Sequence, residues 1–573
     1  MAGFDETFDF VVVGSGAGSM CAALVMRAAG KSVVILEKTE ALGGTTARAG
    51  GVMWIPNNLF LKRAGIDDSF DKAAAYLDDI VGDHADTPGA TRERRLTYLR
   101  EAPCMVEFLM SCGLKFRRVA YWPDYYDDRP GGLKEGRNVV AQLFNVNELG
   151  EWKQKLRLNW LRIPATHDEA FTIRNFKRSW KGRVTILRVG LRGAVAKLTG
   201  KQWVTAGAAL QGRMLQASLK AGVQFRLNAP VRELIVEDGV VKGVVALIDG
   251  APRRIGAVLG VLVNAGGFAR NQEMRDHYQP GTQAEWSNTA PGDTGEMIQE
   301  MMRHGAAIAQ MEEMIGFQVT LPPGLPDDAI RPPMQATTAA PHAILVDQTG
   351  VRFQNEGGSY MAYSKGILTR NKQVPAIPSW AILDSQFMRK SMLAMSPNPQ
   401  TLWKWQSAGF LRKSGTIEGL AQELGIEPAT LKATIDRFNG FVAKNWDEDF
   451  RRGERAYDRW LGDPFNRPSE TLGTIEEGPF YALPVYPGDV GTFGGVVTDV
   501  HARVLRGDGS VIPGLYATAT STAAVMGRVY PGAGASIGSG FVWGYVAARH
   551  AARLNEDLAS APATAPQQIV GAA

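Results

Sequence analysis

Cysteine and histidine are scarce in this sequence of 573 residues. The three cysteines, Cys21, Cys104 and Cys112, form no CxxC pair, and the seven histidines are scattered along the chain. This composition disfavours both a disulfide framework and a zinc site, so we expect no bound metal. It is typical of a protein from a reducing cytoplasmic compartment.

Long apolar runs are missing as well. No run reaches the roughly 18 residues of a membrane-spanning helix, and no basic signal-peptide start precedes the first strand-like segment. The chain is 45% hydrophobic and 21% charged, a composition typical of a soluble globular protein. Its length suits two or three domains, or one large domain with insertions. Glycine, in contrast, is abundant, with 64 residues, which indicates loops where the backbone approaches a ligand.

The first such loop lies near the N-terminus, between two patterns of buried strands. Residues 10–13 and 33–36 are continuous apolar runs, as in strands covered on both faces. Between them, the GSGAG turn at 14–18 opens a helical segment, and Glu37 follows the second run. This order predicts a dinucleotide-binding βαβ unit, in which helix N–H groups bind a pyrophosphate and the acid binds ribose hydroxyls. Ser19 occupies the third fingerprint position, where Gly or Ala is usual.

Further segments extend this pattern beyond a simple NAD-binding domain. A second glycine loop, ALGGTTARAGG, lies at 41–51, and Asp238-Gly239 predicts a hairpin between two strands. A buried-strand pattern closes on Gly266-Gly267, and the C-terminal region reads GSVIPGLYATATSTAAVMGRVYPGAGASIGSGFVWGYVAARHAA. Over residues 8–555, this set resembles the flavoprotein group that contains the fumarate reductases and the 3-ketosteroid dehydrogenases.

The resemblance implies an α/β fold, a Rossmann-like FAD-binding domain of the GR2 type with an inserted α+β catalytic domain. We place the first FAD-binding part at 1–290, with a basic insertion at about 151–201, the catalytic domain at 291–474 and the second FAD-binding part at 475–557. The segment 558–573 has few bulky residues and is predicted to be a disordered tail.

The resemblance also implies which residues contact FAD. The flavin is expected to be non-covalent, because GGTTARAGG lacks the histidine that links it in some relatives. Ala519 stands where the group often has glycine. The implied cofactor-binding residues are Gly14, Ser15, Gly16, Ala17, Gly18, Glu37, Lys38, Gly43, Gly44, Thr45, Thr46, Gly50, Gly51, Val231, Ala265, Gly266, Ala519, Ala535, Ser536 and Ile537.

Within the group, the VYPGAG segment resembles the 3-ketosteroid 1-dehydrogenases. Only small residues follow Tyr530, where a fumarate reductase would have the arginine that binds a dicarboxylate. The resemblance makes Tyr530 and Gly534 the donors to a ketone oxygen and Tyr360, after VRFQNEGGS, the base. Tyr125, in AYWPDYYDDRPGG, would assist Tyr360, and Tyr126 is the less favoured alternative.

The implied reaction is 1,2-dehydrogenation of a 3-ketosteroid in steroid degradation, with hydride transfer to FAD and a quinone or an artificial dye as electron acceptor. A 3-ketosteroid 4(5α)-dehydrogenase and a fumarate-reductase-like enzyme are close alternatives. A flavin-bearing electron-transfer subunit is a more distant one, which no haem CxxCH motif supports. Candidates for an apolar substrate slot are Trp54, Trp122, Phe353 and Met526.

One segment has no counterpart in that group. Residues 151–201 contain thirteen Lys and Arg against three acids, a net charge of +10 in a chain of net charge +5. The charges alternate with apolar residues and with Trp152, Trp160 and Trp180. This pattern favours a peripheral contact with an anionic membrane surface on the cytoplasmic face, and a solvated surface insertion is the alternative. Nothing else in the sequence indicates nucleic-acid binding.

Overall fold

The computed structural model describes residues 3–158, 163–395 and 398–554. Within these ranges the chain forms twenty β-strands and eighteen α-helices, besides short 3₁₀ helices. The strands are β1 (Glu6–Val13), β2 (Val33–Leu36), β3 (Val52–Trp54), β4 (Phe116–Arg118), β5 (Asn138–Ala141), β6 (Phe144–Asn145), β7 (Trp203–Val204), β8 (Gln224–Arg226), β9 (Val231–Glu237), β10 (Val240–Ile248), β11 (Ala251–Val263), β12 (Ile308–Ala309), β13 (Met314–Val319), β14 (Ala343–Val346), β15 (Ser379–Leu383), β16 (Arg412–Ser414), β17 (Phe480–Thr492), β18 (Gly495–Val496), β19 (Arg503–Leu505) and β20 (Val511–Ala517). The helices are α1 (Ser19–Ala28), α2 (Gly44–Arg48), α3 (Leu59–Arg63), α4 (Phe70–Ile80), α5 (Arg92–Ser111), α6 (His167–Arg174), α7 (Trp180–Leu198), α8 (Ala206–Lys220), α9 (Gln272–Tyr278), α10 (Glu296–Arg303), α11 (Gln335–Thr338), α12 (Tyr360–Asn371), α13 (Ser385–Lys390), α14 (Pro399–Ser407), α15 (Ile417–Leu424), α16 (Pro428–Lys444), α17 (Ala456–Leu461) and α18 (Ala535–Ala551).

The main sheet contains the predicted dinucleotide-binding unit. Its central strand order is β19-β20-β11-β1-β2-β8, and β1 runs parallel to both β2 and β11. All of β2 and the last four residues of β1 are buried, as the apolar runs predict for strands covered on both faces. β9 and β10 extend the sheet as an antiparallel hairpin. Its turn residues Asp238 and Gly239 have φ of 51° and 76°, as a tight two-residue hairpin requires.

Small residues allow two helices of this unit to approach closely. A Cβ on Gly18 would lie 2.2 Å from the carbonyl oxygen of Gly540, and one on Gly544 would lie 2.4 Å from the carbonyl oxygen of Gly18. α1 and α18 therefore cross backbone to backbone. Gly18 makes this approach, and Ser19 beside it is fully buried.

A second, antiparallel sheet lies in the middle of the chain. Its strand order is β13-β17-β15-β14, and β16 also pairs with β17. β17 falls in the expected second FAD-binding part, yet it pairs with β13 and β15. α10 falls in the expected catalytic domain, yet Met297 and Met301 pack into the core of the main sheet. We therefore propose that the catalytic unit begins near β13 and includes β17.

The basic segment divides into parts with different surroundings. α6 and α7 are joined by Arg192, whose guanidinium donates to both carboxylate oxygens of Glu169 at 2.7 and 2.8 Å. Trp152 is half-buried, and its ring packs on Phe225 with centroids 5.5 Å apart. Trp180 is 77% exposed. Trp160 and the predicted tail lie outside the described residues.

A search of the described helices finds none with both the length and the apolarity that crossing a bilayer requires.

The turn at 530–534 is held by buried hydrogen bonds from three directions. The Pro531 carbonyl accepts from the Tyr125 N–H at 2.9 Å and from the Tyr76 hydroxyl at 2.7 Å. The Tyr76 oxygen in turn accepts from the Tyr126 N–H at 3.2 Å. On the other side, the backbone N–H of Trp54 in β3 donates to the carbonyl of Gly534 at 3.2 Å. α4, β3 and the 124–126 segment are thereby fixed around one turn.

Tyr76→Phe tests this arrangement. We expect a loss of about 1–3 kcal/mol in the free energy of unfolding, because the buried Tyr126 N–H loses its acceptor and Pro531 loses a donor. Urea unfolding followed by circular dichroism measures the loss. Tyr121→Phe is the matched control, because Tyr121 is 73% exposed and should change stability by no more than about 0.5 kcal/mol. Equal stability of the two variants would show that the turn does not depend on Tyr76.

Candidate active site

A single cavity of about 520 Å³ collects residues from both sheets. It begins at the two glycine loops beside the main sheet and reaches β13 of the second sheet and the helices α11 and α17. The predicted residues in its wall are Gly14, Ser15, Gly16, Ala17, Glu37, Lys38, Gly44, Thr45, Thr46, Gly50, Gly51, Tyr125, Val231, Ala265, Gly266, Tyr360, Ala519, Tyr530, Gly534, Ser536 and Ile537.

Three predicted residues do not line the cavity and support its wall instead. Gly18 packs against α18, and Ala535 is fully buried at the start of that helix. The Gly43 N–H donates to the Ser15 hydroxyl at 2.9 Å, which joins the two glycine loops. Ala519 does line the cavity and has a φ of 56°, a conformation that favours glycine.

The end of the cavity at β1 and β2 suits a dinucleotide. The Ser15 hydroxyl donates to the Glu37 carboxylate at 2.5 Å, so the acid lies beside the first loop as a ribose acceptor requires. A Cβ on Gly16 or on Gly44 would meet no other protein atom closer than 3.5 Å. Glycine at both positions keeps side chains out of the part of the cavity where the two loops face each other at the start of α1, which is where the prediction places a pyrophosphate.

At the other end, the three predicted tyrosines meet. The ring centroids of Tyr360 and Tyr530 lie 5.1 Å apart, those of Tyr125 and Tyr360 5.2 Å apart, and those of Tyr125 and Tyr530 6.0 Å apart. Residues far apart in the sequence therefore form one cluster of phenols. Tyr125 and Tyr530 are almost fully buried and Tyr360 is half-buried.

Local hydrogen bonds explain how each tyrosine is placed. The Tyr125 backbone is bound to the Pro531 carbonyl, as described above. Tyr360 is the first residue of α12, and its carbonyl accepts from the Gln318 side chain at 2.6 Å. The RFQNE segment before it is fixed by Arg352, which donates to Glu356 at 2.8 Å and to Asp447 at 2.7 Å.

Two donors face the cavity at the start of α18. The Tyr530 hydroxyl oxygen accepts from the Ser536 N–H at 3.2 Å and lies 2.8 Å from the Ser536 hydroxyl. The helix start thereby polarises this phenol and strengthens it as a donor. The structure gives the Gly534 N–H no acceptor among the described residues. Gly534 has a φ of 86°, and a Cβ there would lie 2.1 Å from the Val52 carbonyl oxygen, so only glycine fits.

The predicted base lies in an environment with opposing effects. Burial, followed by the neighbouring Tyr530, raises the pKa of Tyr360 well above its usual value. A hydrogen bond from Tyr125 acts in the other direction and lowers the pKa of Tyr360. Burial also raises the pKa of Tyr125. Tyr125 is therefore the group in the cluster that favours ionisation of Tyr360.

A fourth tyrosine in the cluster has no motif that marks it in the sequence. The Tyr457 ring lies 4.2 Å from that of Tyr125, and Tyr457 lines the cavity. Asp127 places it, because its carboxylate accepts from the N–H groups of Ala456 and Tyr457 at 3.1 and 3.0 Å. Asp127 lies in the DYYDD segment, so the sequence could have suggested that its carboxylate caps a helix. The helix concerned, α17, lies more than 300 residues away in the sequence.

An aromatic wall continues from Tyr457. Trp460 stacks on Trp122 with ring centroids 5.1 Å apart, and Phe171 packs edge-on against both. Of the four candidates for an apolar slot, only Trp122 lines the cavity. Trp54 and Met526 are fully buried in the core, and Phe353 packs against the core of the second sheet.

α6 brings part of the basic segment into the site, which the sequence did not indicate. Its Phe171 and His167 both line the cavity. The His167 Nε2 donates to the carbonyl of Gly50 at 2.7 Å, and burial lowers the pKa of His167 to about 4. This neutral histidine therefore lies beside the second glycine loop, although the loop sequence contains none.

Comparisons with known proteins identify the family of the chain. Residues 9–537 match the family model described as FAD binding domain. The chain is 38% identical to the 3-oxosteroid 1-dehydrogenase of Mycolicibacterium smegmatis, over 95% of this chain and 97% of the relative. The 3-oxosteroid 1-dehydrogenase of Mycobacterium tuberculosis strain H37Rv is 37% identical, over 96% of this chain and 98% of that one.

The fold agrees with a solved structure of the same kind. The 3-ketosteroid delta1-dehydrogenase of Sterolibacterium denitrificans, in complex with 1,4-androstadiene-3,17-dione, superposes with a TM-score of 0.88 at 32% identity, covering 96% of this chain and all of that one. The predicted fold class and the predicted FAD cofactor are therefore confirmed. The chain belongs to the family of FAD-dependent flavoproteins that contains the 3-oxosteroid 1-dehydrogenases.

Proposed function

We propose that this protein catalyses the 1,2-dehydrogenation of 3-ketosteroids with FAD as cofactor. The observation that carries the proposal is the convergence of Tyr125, Tyr360 and Tyr530 in one cavity with the Gly534 N–H, which has no acceptor among the described residues. Removing two hydrogens next to a ketone requires donors to the oxygen and a base at the adjacent carbon. The cluster supplies both, and its aromatic wall suits an apolar, ring-shaped substrate.

Each residue has a separate task in this reaction. Tyr530 and Gly534 donate hydrogen bonds to the ketone oxygen and stabilise the negative charge that develops on it. Tyr360 accepts the proton from the carbon next to the ketone, and the hydrogen bond from Tyr125 offsets part of the cost of ionising Tyr360. Bound FAD supplies the acceptor for the hydride that leaves the neighbouring carbon. Phe171, Trp122 and Trp460 help to keep water out of the cavity.

We propose that FAD is held without a covalent bond. Mild denaturation should then release all of the flavin into solution. His167 is the residue to test if flavin stays with the unfolded chain, because it lines the cavity beside Gly50. For reoxidation we propose a quinone, which an artificial dye can replace in assays, because a flat apolar ring suits the wall of Trp122 and Trp460.

Anaerobic bleaching of the flavin tests the proposed function. A 3-ketosteroid should reduce the bound FAD, and the isolated product should carry its new double bond between carbons 1 and 2. Succinate should leave the flavin oxidised, because the described residues that follow Tyr530 at the start of α18 are small and include no arginine to bind a carboxylate. A new double bond at carbon 4 would favour the 4(5α)-dehydrogenase, and bleaching by succinate alone would favour a fumarate-reductase-like enzyme.

Tyr530→Phe should lower the rate of steroid-dependent flavin reduction about 10²–10³-fold, because it removes one donor to the developing oxyanion. The variant should retain FAD, as its visible spectrum will show. Ser536→Ala is the matched control and should lose less than about tenfold, because the Ser536 backbone N–H still donates to Tyr530. Normal turnover by Tyr530→Phe would remove this hydroxyl from the mechanism.

The pH dependence of flavin reduction should distinguish the roles of the tyrosines. Because the pKa of Tyr360 is raised, its hydroxyl is neutral at pH 7, and the rate should rise about tenfold per pH unit below that pKa. Tyr125→Phe should shift this profile to higher pH, since it removes the hydrogen bond that lowers the pKa of Tyr360. Tyr126→Phe, at the neighbouring position, should leave the profile in place. Stopped-flow absorbance measures each rate, and identical profiles for the two variants would contradict the assignment.

We propose further that α7 contacts an anionic membrane surface from the cytoplasmic side. Its outward face carries Leu187, Leu191, Val195 and Leu198, which are 73%, 63%, 49% and 87% exposed. Their spacing places them on one side of the helix, opposite its buried residues. A contiguous apolar face beside a net charge of +10 is typical of helices that lie in the plane of an anionic bilayer surface. Such a contact would bring the cavity, through α6, close to a membrane-dissolved substrate.

Co-sedimentation with liposomes tests this contact. The wild-type protein should bind anionic vesicles at low salt, bind neutral vesicles less, and dissociate as salt screens the charges. The double variant Leu187→Glu/Leu191→Glu should lose binding and keep dye-linked activity on a water-soluble steroid. Val258→Glu, which alters an aliphatic residue 66% exposed on β11, is the control and should bind normally. A wild-type protein that ignores anionic vesicles at low salt would make the segment an ordinary surface insertion.

A further inference from the structure

The start of the basic segment lies against the second glycine loop. The Leu42 N–H donates to the Lys155 carbonyl at 2.6 Å, and the Arg157 N–H donates to the Leu42 carbonyl at 2.9 Å. Residues 155–157 therefore run beside this loop as a short parallel strand would. The pairing brings the basic segment next to the stretch that follows Glu37, a contact that the sequence did not indicate.

The Arg157 side chain reaches from this pairing to the large cavity. Its guanidinium donates to the Thr39 hydroxyl at 3.0 Å, and the Thr39 N–H donates to the Glu37 carboxylate at 3.0 Å. Arg157 is half-buried and lines the cavity, and its buried Nε has no acceptor among the described residues. The guanidinium thus lies beside the residue that holds the expected ribose acid, with most of its five N–H donors unused.

A second arginine approaches the same part of the cavity from α2. Arg48 follows Gly44 by four residues, so both lie on one side of the helix, and helical side chains lean toward the helix N-terminus. Arg48 is only 9% exposed and lines the cavity. Its guanidinium donates to the Asp328 carbonyl at 2.6 Å, whereas its buried Nε has no acceptor among the described residues.

Neither guanidinium has a carboxylate partner. Within the described ranges of the chain, neither arginine forms an ion pair, whereas Lys38 in the same cavity wall is paired with Glu296 at 3.0 Å. Burial, followed by the charges of neighbouring arginines, lowers the pKa of Arg48 to about 10, and the charge of Asp328 acts in the other direction. Arg48 is therefore still charged at pH 7. Buried cations with unused donors are stabilised when an anion binds beside them.

We infer that Arg48 and Arg157 bind the diphosphate of FAD, so that the first residues of the basic segment are part of the cofactor site. The planar fork of each arginine suits phosphate oxygens, and its full charge adds to the partial charges at the start of α1. This inference rests on the FAD cofactor of the family and is independent of the proposed steroid reaction. It gives residues 155–157 a role in retaining FAD that is separate from the contact proposed for α7.

The rate of FAD release from the holoenzyme tests the inference. Arg157→Gln and Arg48→Gln should each release FAD about 10–100-fold faster than the wild type, because each loses charge-assisted hydrogen bonds to the diphosphate. The rise in flavin fluorescence after dilution measures this rate. Arg157→Lys keeps the charge without the fork, so its rate should lie between those of the wild type and Arg157→Gln.

Lys155→Gln is the matched control. It removes the same charge from the same segment, but the Lys155 side chain is exposed and lies outside the cavity wall. Its rate of FAD release should therefore stay within about twofold of the wild type.

Phosphorus NMR of the holoenzymes separates contact with the diphosphate from a general loosening of the site. Both arginine-to-glutamine variants should shift the resonance of at least one phosphorus atom of bound FAD, and Lys155→Gln should shift neither. A wild-type rate of release in either variant would overturn the inference. Faster release with unchanged phosphorus resonances would also overturn it, because the arginines would then support the fold without touching the phosphates. Either result would leave the proposed steroid reaction standing.

Discussion

The buried carbonyl of Pro531 is the point on which the catalytic geometry depends. It accepts hydrogen bonds from the Tyr125 N–H and the Tyr76 hydroxyl, and Tyr76 also holds the neighbouring Tyr126 N–H. Tyr530 precedes this carbonyl directly, so the bonds that satisfy Pro531 also bring Tyr530 beside Tyr125. Without these hydrogen bonds, the Pro531 carbonyl and the N–H groups of Tyr125 and Tyr126 would lack partners, which costs about 1–3 kcal/mol for each buried group.

Burial has two opposite consequences in this cluster. It raises the pKa values of Tyr125 and Tyr360, which disfavours the phenolate form of Tyr360, the proposed base. It also strengthens every hydrogen bond aimed at the ketone oxygen, because the same interior has a low dielectric constant. The two tyrosines are supported by different neighbours. Tyr530 is polarised by the start of α18, whereas Tyr360 receives its support from Tyr125. In the mechanism that we propose, charge would develop on the substrate oxygen while the proton moves to Tyr360.

The sequence predicts those parts of the fold that arise from patterns of neighbouring residues. The βαβ unit and the hairpin at Asp238-Gly239 follow from continuous apolar runs and turn chemistry, which need no knowledge of distant residues. Tyr457, α6 and β17 escaped prediction because their roles depend on contacts made across long sequence separations. A charged, amphipathic segment such as α6 has the pattern of a surface helix even when one side covers a cavity. Trp152 shows the same limit, since the sequence gives no sign of its contact with Phe225, which lies more than 70 residues away.

A crystal structure of the protein with FAD and a 1,4-diene-3-ketosteroid product would test the central claim most directly, because it shows where the ketone oxygen lies. We predict this oxygen within about 3.2 Å of both the Tyr530 hydroxyl and the Gly534 nitrogen, a distance typical of hydrogen bonds. The carbon next to the ketone should then face the Tyr360 hydroxyl. A product whose ketone lies away from Tyr530 and Gly534, or whose first ring lies outside the tyrosine cluster, would contradict the account.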